Sequence, residues 1–361
     1  MLEYHLPVMA GEDLTSLTFA QLERWAATEG LPAFRGRQLF RWLHGRVERD
    51  FARMTDLSRE LRDRLAGKYR LHLPEIVEQR RAADGTRKLR FRLADGLEVE
   101  GVYMPEQRRR TLCVSTQVGC AMGCAFCATG SMGLVRHLAA GEIAGQVEAV
   151  RRLLAAEGLE RPVSNVVFMG MGEPLHNLEA TLAAVEILLH PLGGGMSRRH
   201  LTVSTAGLVP AMKKFVERVP AKLAVSLNAA DDEVRSRLMP INRRYPLERL
   251  LAACRELNLK HTDRITFEYV LLGGINDGDD DARRLVKLLS GLSCKVNLIP
   301  YNPLPDSSFR RPRQQRLQRF QQILLDKNLS VFVRRSRGAE LAAACGQLVT
   351  TAGGGAGRRQ S

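Results

Sequence analysis

Thr111-Leu-Cys-Val-Ser-Thr-Gln-Val-Gly-Cys120-Ala-Met-Gly-Cys124-Ala-Phe-Cys127 is a short apolar strand that runs into three cysteines at C-x3-C-x2-C spacing. Three thiolates this close together suit a four-iron cluster held through only three of its irons. The fourth iron is then left without a protein ligand and can take a small molecule. No fourth cysteine follows within a hundred residues. A structural zinc would ask for a fourth Cys or His at close range, usually in paired C-x2–4-C units. A ferredoxin half-site would repeat its cysteines.

Outward from this stretch, the pattern toward the C-terminus is strand then helix, repeatedly. Strands are predicted at 111–116, 163–169, 200–204, 221–227, 264–271, 293–299 and 329–334, and helices at 139–155, 177–189, 208–218, 246–258, 279–290 and 312–327. Six β-α units of this kind predict an α/β fold with parallel strands in a full or partial barrel, with chemistry at the C-terminal ends of the strands. Toward the N-terminus the pattern differs. Residues 14–68 read as helical: Phe40, Leu43, Val47, Phe51 and Met54 recur at helix spacing, and Leu57, Leu61 and Leu65 follow on the next helix. Residues 69–105 read as short strands, with Leu89, Phe91 and Leu93 alternating and Asp84-Gly85 and Asp95-Gly96 as hairpin turns. The predicted organisation is a helical domain over 1–68, a strand region over 69–105, a barrel core over 106–350 and a flexible tail over 351–361 that contains AGGGAGRRQS.

The 361 residues, 45% hydrophobic and 26% charged, suffice for one large domain and a smaller one. No stretch reaches the length of a membrane-spanning helix, and the N-terminus lacks the plan of a signal peptide. A cytoplasmic protein without a membrane partner is expected, so its seven cysteines point to metal or chemistry rather than to a disulfide frame. Net charge is +15 and unevenly spread: residues 1–100 hold 18 basic and 16 acidic residues, the remainder 36 and 23. Arginine runs stand at Arg108-Arg109-Arg110, Arg198-Arg199, Arg243-Arg244, Arg310 to Arg319 and Arg334-Arg335-Ser-Arg337. Such runs suit phosphate contacts, although a merely basic, solvated surface would carry the same charge.

The three-cysteine spacing resembles that of radical S-adenosylmethionine (SAM) enzymes. There the open iron of a 4Fe–4S cluster chelates SAM, and an electron from the cluster splits the sulfonium to a 5′-deoxyadenosyl radical. Val166-Val-Phe-Met-Gly-Met-Gly-Glu-Pro174 is an apolar strand ending in a glycine turn, where Glu173 can accept hydrogen bonds from the SAM ammonium. Later strand ends offer Ser204, Ser226, Asn228 and, in Ile299-Pro-Tyr-Asn-Pro303, Asn302. Each alone reads as a cap or turn residue. Together they are what a SAM carboxylate and ribose need. Two more cysteines stand out. Cys113 lies on the first barrel strand, and Cys345 stands before a glycine with arginines nearby, a setting for a mobile, thiolate-prone residue. Cys254, inside an apolar helix, and Cys294, at the start of a buried strand, read as small core residues.

Thr111 to Cys120, Cys127-Ala-Thr-Gly130, Gly170-Met-Gly-Glu-Pro174, Pro240-Ile-Asn242 and Ala344-Cys-Gly-Gln347 together resemble the RlmN/Cfr family of RNA adenine methyltransferases, over about residues 20 to 350. The resemblance implies a radical-SAM partial (β/α)6 barrel with an N-terminal RNA-binding accessory domain. It also implies the use of two SAM molecules. One methylates Cys345; the other supplies a radical that takes a hydrogen from that methyl group, and the carbon then adds to adenine. Cys113 attacks the Cys345 sulfur, releases the methylated RNA and leaves a disulfide. SAM contacts carried over by the resemblance fall on Gly172, Glu173, Ser204, Ser226, Leu227, Asn228 and Asn302. In Val99-Glu-Gly-Val-Tyr-Met-Pro105, Glu98 and Glu100 share a strand face and are rivals as the base on spacing; the family pattern selects Glu100.

The implied partners are 23S rRNA, at the peptidyl-transferase centre, and tRNA, at the adenosine 3′ to the anticodon. A flavodoxin- or ferredoxin-like low-potential electron donor and a disulfide reductant are implied as well, and a monomer is expected. Methylation at C2 is the favoured reading and Cfr-like methylation at C8 the alternative. An iron–sulfur RNA-binding or redox protein without methyl transfer would have no use for Cys345 paired with Cys113. The sequence departs from the family at His137, usually Asn, at Glu340, usually Asp, and at Gly101, usually Ser or Thr.

Overall fold

The computed structural model of the chain describes residues 13–107, 109–160, 162–257, 264–305, 307–334 and 337–350. The predicted tail over 351–361, the start of the helical domain, and Arg108 and Arg335 of the arginine runs lie outside the described residues.

Helix α1 (Phe19–Thr28) starts at a capping box: Thr18 Oγ1 accepts from the Gln21 N–H and Gln21 Oε1 accepts from the Thr18 N–H. Helix α2 (Ala33–Phe40) runs into a π-type turn, Arg41–Gly45. The single helix predicted from Phe40 to Met54 does not form. Val47 takes a left-handed φ of 56°, and Phe51–Arg53 is a separate 3-10 turn. Phe40, Leu43, Phe51 and Met54 are all buried, so their spacing reflects a shared core rather than one continuous helix. Helix α3 (Arg59–Lys68) follows, capped by Ser58.

Strands β1 (Glu75–Arg81), β2 (Arg87–Arg92) and β3 (Glu98–Pro105) form antiparallel hairpins. They turn at Gly85 and Gly96, whose φ of 81° and 82° only glycine adopts readily. Then come β4 (Arg110–Cys113), β5 (Gln117–Cys120), α4 (Ala128–Ser131), β6 (Gly133–His137), α5 (Ala140–Ala156), β7 (Asn165–Phe168), α6 (Leu178–Leu189), β8 (Leu201–Thr205), α7 (Val209–Arg218), β9 (Lys222–Ser226), α8 (Asp232–Leu238), α9 (Leu247–Glu256), β10 (Ile265–Leu271), α10 (Asp279–Leu289), β11 (Cys294–Pro300), α11 (Gln314–Leu325) and β12 (Ser330–Val333).

Ten strands make one sheet in the order β1-β2-β3-β4-β7-β8-β9-β10-β11-β12. From β4 to β12 every pairing is parallel. All seven predicted barrel strands are present, and β1–β3 extend their sheet through the β3–β4 pairing. The predicted strand 111–116 is shorter than expected. It stops at Cys113, and Gln117–Cys120 pairs instead with Gly133–His137 in a separate two-stranded sheet.

The two faces of the parallel strands differ. Residues facing the helices, such as Leu112, Val166, Phe168, Leu201, Val203, Phe267, Val296 and Leu298, are fully buried. That face accounts for the apolar runs in the sequence. The opposite face lines the lumen, where Thr111, Asn165, Thr202, Ser204, Ser226, Glu268 and Asn297 alternate with Val167, Met169, Val270 and Ile299. A barrel lumen is usually filled by branched apolar side chains; this one leaves cavities with polar groups on their walls. The accessory helices are clamped to α5 by a buried network in which Glu148 pairs with His44 at 2.8 Å and with Arg49 at 2.5 Å. Among the described residues no helix is long and apolar enough to cross a membrane.

Candidate active site

Cys120 ends β5, and Cys124 and Cys127 lie on the loop that leads into α4. The loop is held at three points. The Ala125 N–H donates to the Leu238 carbonyl at 2.9 Å, the Cys127 N–H to the Cys124 carbonyl at 3.1 Å and the Ala128 N–H to the Gly346 carbonyl at 2.7 Å. Gly119, before the first cysteine, has φ 75°, and a Cβ there would lie inside the Gly133 carbonyl oxygen of the facing strand. Among the described residues no three Cys, His, Asp or Glu side chains converge on a single-ion site. All three cysteines nevertheless line one cavity. That arrangement fits a cuboidal cluster that takes each thiolate on a different iron. Burial pushes the Cys120 thiol up to about 11 and Cys124 higher still, so binding iron displaces protons from both.

The same cavity is lined by Gly172, Glu173, Ser204, Ser226, Asn228 and Asn302, from four strand ends, and by Cys345. The predicted C-terminal ends of the strands therefore do converge. Glu173 is buried, with Oε1 accepting from the Leu175 N–H at 3.0 Å and Oε2 from the Ala206 N–H at 2.7 Å. Burial pushes its carboxyl up to about 7, against these backbone hydrogen bonds. A bound ammonium would return it to the ionised form. The amide of Asn228 is already committed: Oδ1 accepts from the Val270 N–H at 2.8 Å, and Nδ2 faces the Met239 sulfur at 3.2 Å. Leu227 does not reach the cavity with its side chain, which is fully buried. Its backbone N–H donates to the Glu268 carbonyl at 2.9 Å and its carbonyl accepts from Arg235 Nε at 2.9 Å.

Cys345 opens onto this cavity and onto a second one shared with Cys113 and Cys127. All seven cysteines are free thiols. Cys345 is exposed at the seam of the two cavities. Its thiol is pushed up by desolvation, with the Arg334 charge opposing this, against the thiolate-prone state expected of it. Burial and the neighbouring Cys345 push Cys113 up to about 12. Cys254 and Cys294 are buried in α9 and at the start of β11.

Glu100 sits on β3, outside the cluster cavity, behind the Cys345 segment. Its Oε2 accepts from the Val349 N–H at 2.9 Å and pairs with Lys88 at 2.9 Å. Burial raises its carboxyl above the ordinary carboxylate range, against the Lys88 charge. Its rival Glu98 is tied to Arg90 and Arg92, each at 3.3 Å. Gly101 lies so close to β4 that a Cβ would come within 2.9 Å of the Cys113 carbonyl, which accounts for glycine there.

Three participants gave no signal in the sequence. Arg235 is fully buried and donates to the carbonyls of Ala206, Ser226 and Leu227 and to Asn242 Oδ1 at 2.7–3.1 Å. It joins two strand ends to the Pro240-Ile-Asn242 turn, and only a fold brings those segments together. Glu268, held by Asn297 Nδ2 at 2.8 Å, faces the cavity from mid-strand. Gln117 Oε1 accepts from the Glu173 N–H at 2.7 Å, and its Nε2 donates to Nδ1 of His137 and His176 at 2.9 and 3.2 Å. An unprotonated Nδ1 on His137 suits this contact, and burial and the neighbouring His176 lower the basicity of that imidazole. His137, unusual for the family, thus still serves to hold the glycine turn.

The Radical SAM superfamily matches residues 114–286, and the Ribosomal RNA large subunit methyltransferase N-terminal domain matches residues 12–71. The dual-specificity RNA methyltransferase RlmN of Anaeromyxobacter dehalogenans is 51% identical over 97% of this chain and 95% of its own length. The protein of the same description from Geobacter sulfurreducens is 52% identical over 93% and 91%. The crystal structure of a radical SAM methyltransferase from Sphaerobacter thermophilus superposes with a TM-score of 0.86 at 48% identity, covering 93% of this chain and 99% of that one. The chain belongs to the RlmN family of radical SAM methyltransferases, enzymes that work with a 4Fe–4S cluster and S-adenosylmethionine.

Proposed function

We propose that this enzyme methylates C2 of adenosine in 23S rRNA, at the peptidyl-transferase centre, and in tRNA, 3′ to the anticodon, with Cys345 as the methyl carrier. The observation that carries the reading is the place of Cys345 at the seam of two cavities. One it shares with the three cluster cysteines and Glu173, the other with Cys113. When bound, the cluster and SAM supply the 5′-deoxyadenosyl radical that an unreactive adenine carbon requires.

Cys120, Cys124 and Cys127 would hold the cluster. Glu173 would hold the SAM ammonium, and Ser204, Ser226, Asn302 and the backbone around Gly172, Leu227 and Asn228 would position the rest. Cys345 carries the methyl carbon to the base. Glu100, with its raised carboxyl basicity, takes the adenine proton. Cys113, giving up its thiol proton, then attacks the Cys345 sulfur; the sulfur–carbon bond breaks with its electron pair on the carbon, which takes up a proton to become the methyl group, the unpaired electron of the adduct would return to the cluster when bound, and the Cys113–Cys345 disulfide awaits an external reductant. The domain over 1–68 acts as an RNA-binding accessory domain, beside the strand region over 69–105 and the catalytic core over 106–350. Nucleoside mass spectrometry of rRNA and tRNA from cells with and without the gene tests this. The expected result is loss of 2-methyladenosine from both RNAs; loss of 8-methyladenosine instead would overturn the assignment of the carbon.

A further inference from the structure

We propose that the N-terminal mouth of the barrel, opposite the cluster, is an entrance that binds backbone phosphates of the RNA strand whose adenosine is modified; this rests on the RNA-methylating function proposed above. Its basis is the lumen itself. The first inward-facing residues of six successive parallel strands are Thr111, Asn165, Thr202, Lys222, Thr266 and Lys295, a wholly polar ring. The layer that would ordinarily be packed with branched apolar side chains instead encloses a cavity of about 400 Å³. That volume falls in the range of small-ligand sites, about 300–1,000 Å³.

Among the described residues the charge of the mouth is one-sided. Arg109 and Arg199 stand on its exposed rim and Lys295 lies half-buried inside; none of the three makes an ion pair among the described residues. Among the described residues Glu268 is the one carboxylate on the wall, and it sits at the inner end. Burial lowers the basicity of Lys295, and Arg334 and Arg109 press it further down against the pull of Glu268. An anion entering here relieves that repulsion. Guanidinium and ammonium groups interleaved with hydroxyls are the chemistry of phosphate recognition.

The mouth is also continuous with the catalytic cavity. Met169, Glu268 and Arg334 line both, and Cys345 lies on the far side. From Lys295 to Ile299 the strand advances about 13 Å. An enzyme acting on a base must take it out of its stack. A strand gripped by its phosphates at the mouth can send one splayed base up the lumen toward Cys345.

The test uses the full-length enzyme with reconstituted cluster and an RNA oligonucleotide carrying the target adenosine. Binding is followed by fluorescence anisotropy across a salt series. Replacing Arg109, Arg199 and Lys295 together with Gln should make the slope of log K against log salt shallower by about 2, as three lost phosphate contacts at about 0.7 each require. Iron content and SAM binding should not change. The charge-keeping triple variant, Arg109→Lys, Arg199→Lys and Lys295→Arg, should retain the wild-type slope, which separates lost charge from misfolding. An unchanged slope in the Gln variant overturns the inference. So does calorimetric binding of inorganic phosphate to the wild type that vanishes in the Gln variant while RNA binding stays intact, since the mouth would then serve a free anion. Wild-type protein that shows the predicted slopes yet yields no methyladenosine would refute the methylation reading and uphold the phosphate-binding mouth.

Discussion

Cys345 and Cys113 face one cavity, but only Cys345 also faces the cluster side, an asymmetry that lets their proposed roles be tested separately. If Cys345 is the carrier proposed above, Cys345→Ala should give neither adduct nor product. Cys113→Ala should still load and add but not release, and covalent protein–RNA should accumulate on denaturing gels with labelled RNA. Glu100→Gln should also stall after addition, because the adenine proton has nowhere to go. Equal product from the Cys113 variant would refute the pairing. Glu173 gives a pH-dependent expectation. Its carboxyl, ordinarily near 4.5, is pushed up to about 7 by burial. A raised folded-state value means that its contribution to stability is complete below pH 4.5 and is lost as pH rises toward 7, by about 3 kcal/mol at most. The melting temperature of SAM-free protein should fall over that window, and Glu173→Gln should flatten the fall. SAM affinity should run the other way, rising as Glu173 ionises. Thermal melts and equilibrium binding across pH check both. The sequence singled out Glu173 because a glycine turn preceded it. It could not reveal Arg235 or Glu268, whose partners lie on other strands.

At the scale of elements, the parallel strands were legible because their helix-facing side is continuously apolar, and the β-hairpins because Asp-Gly marks each turn. Two elements were not. The run from Phe40 to Met54 has helical spacing, yet the chain reverses at Val47 and meets the same core from a second direction. Strands β5 and β6 are short and rich in glycine and polar residues, so no β signal distinguishes them from the cysteine loop. Their pairing nonetheless positions Cys120, through the close approach of Gly119 to the Gly133 carbonyl. Gly119→Ala forces a Cβ onto that backbone and a left-handed φ onto alanine, at a cost on the order of 2–4 kcal/mol. We expect anaerobically reconstituted Gly119→Ala protein to hold less than half the iron of wild type while its far-UV dichroism stays close to normal. Full iron loading would mean that the hairpin does not set the cluster loop.

At the scale of the molecule, the accessory helices and the barrel share one hydrophobic core, and polar clamping between them concentrates at Glu148 on α5. No sequence argument placed Glu148 in contact with residues about a hundred positions earlier. A glutamate within an apolar helix reads as an error of pattern until His44 and Arg49 are seen to close on it. Burial alone would raise its carboxyl, but His44 and Arg49 together hold it below the ordinary range. A depressed folded-state value contributes stability that is complete above about pH 4.5 and is lost as acid protonates the group. Glu148→Gln keeps one oxygen that can accept from His44 but removes the charge and turns an amide N–H2 toward Arg49, leaving that largely buried cation without its counterion, and breaking such a buried set costs about 3–5 kcal/mol. Because the lost contacts join accessory helices to α5, we expect the variant to unfold from that junction. Denaturant midpoints should drop, protease should cut first around residues 45–55, and acid sensitivity below pH 4.5 should be weaker than in wild type. RNA affinity should fall with the stability if the two parts must be held together to grip one RNA. A Glu148→Gln protein that melts and cleaves like wild type would show that the apolar core alone sets the arrangement.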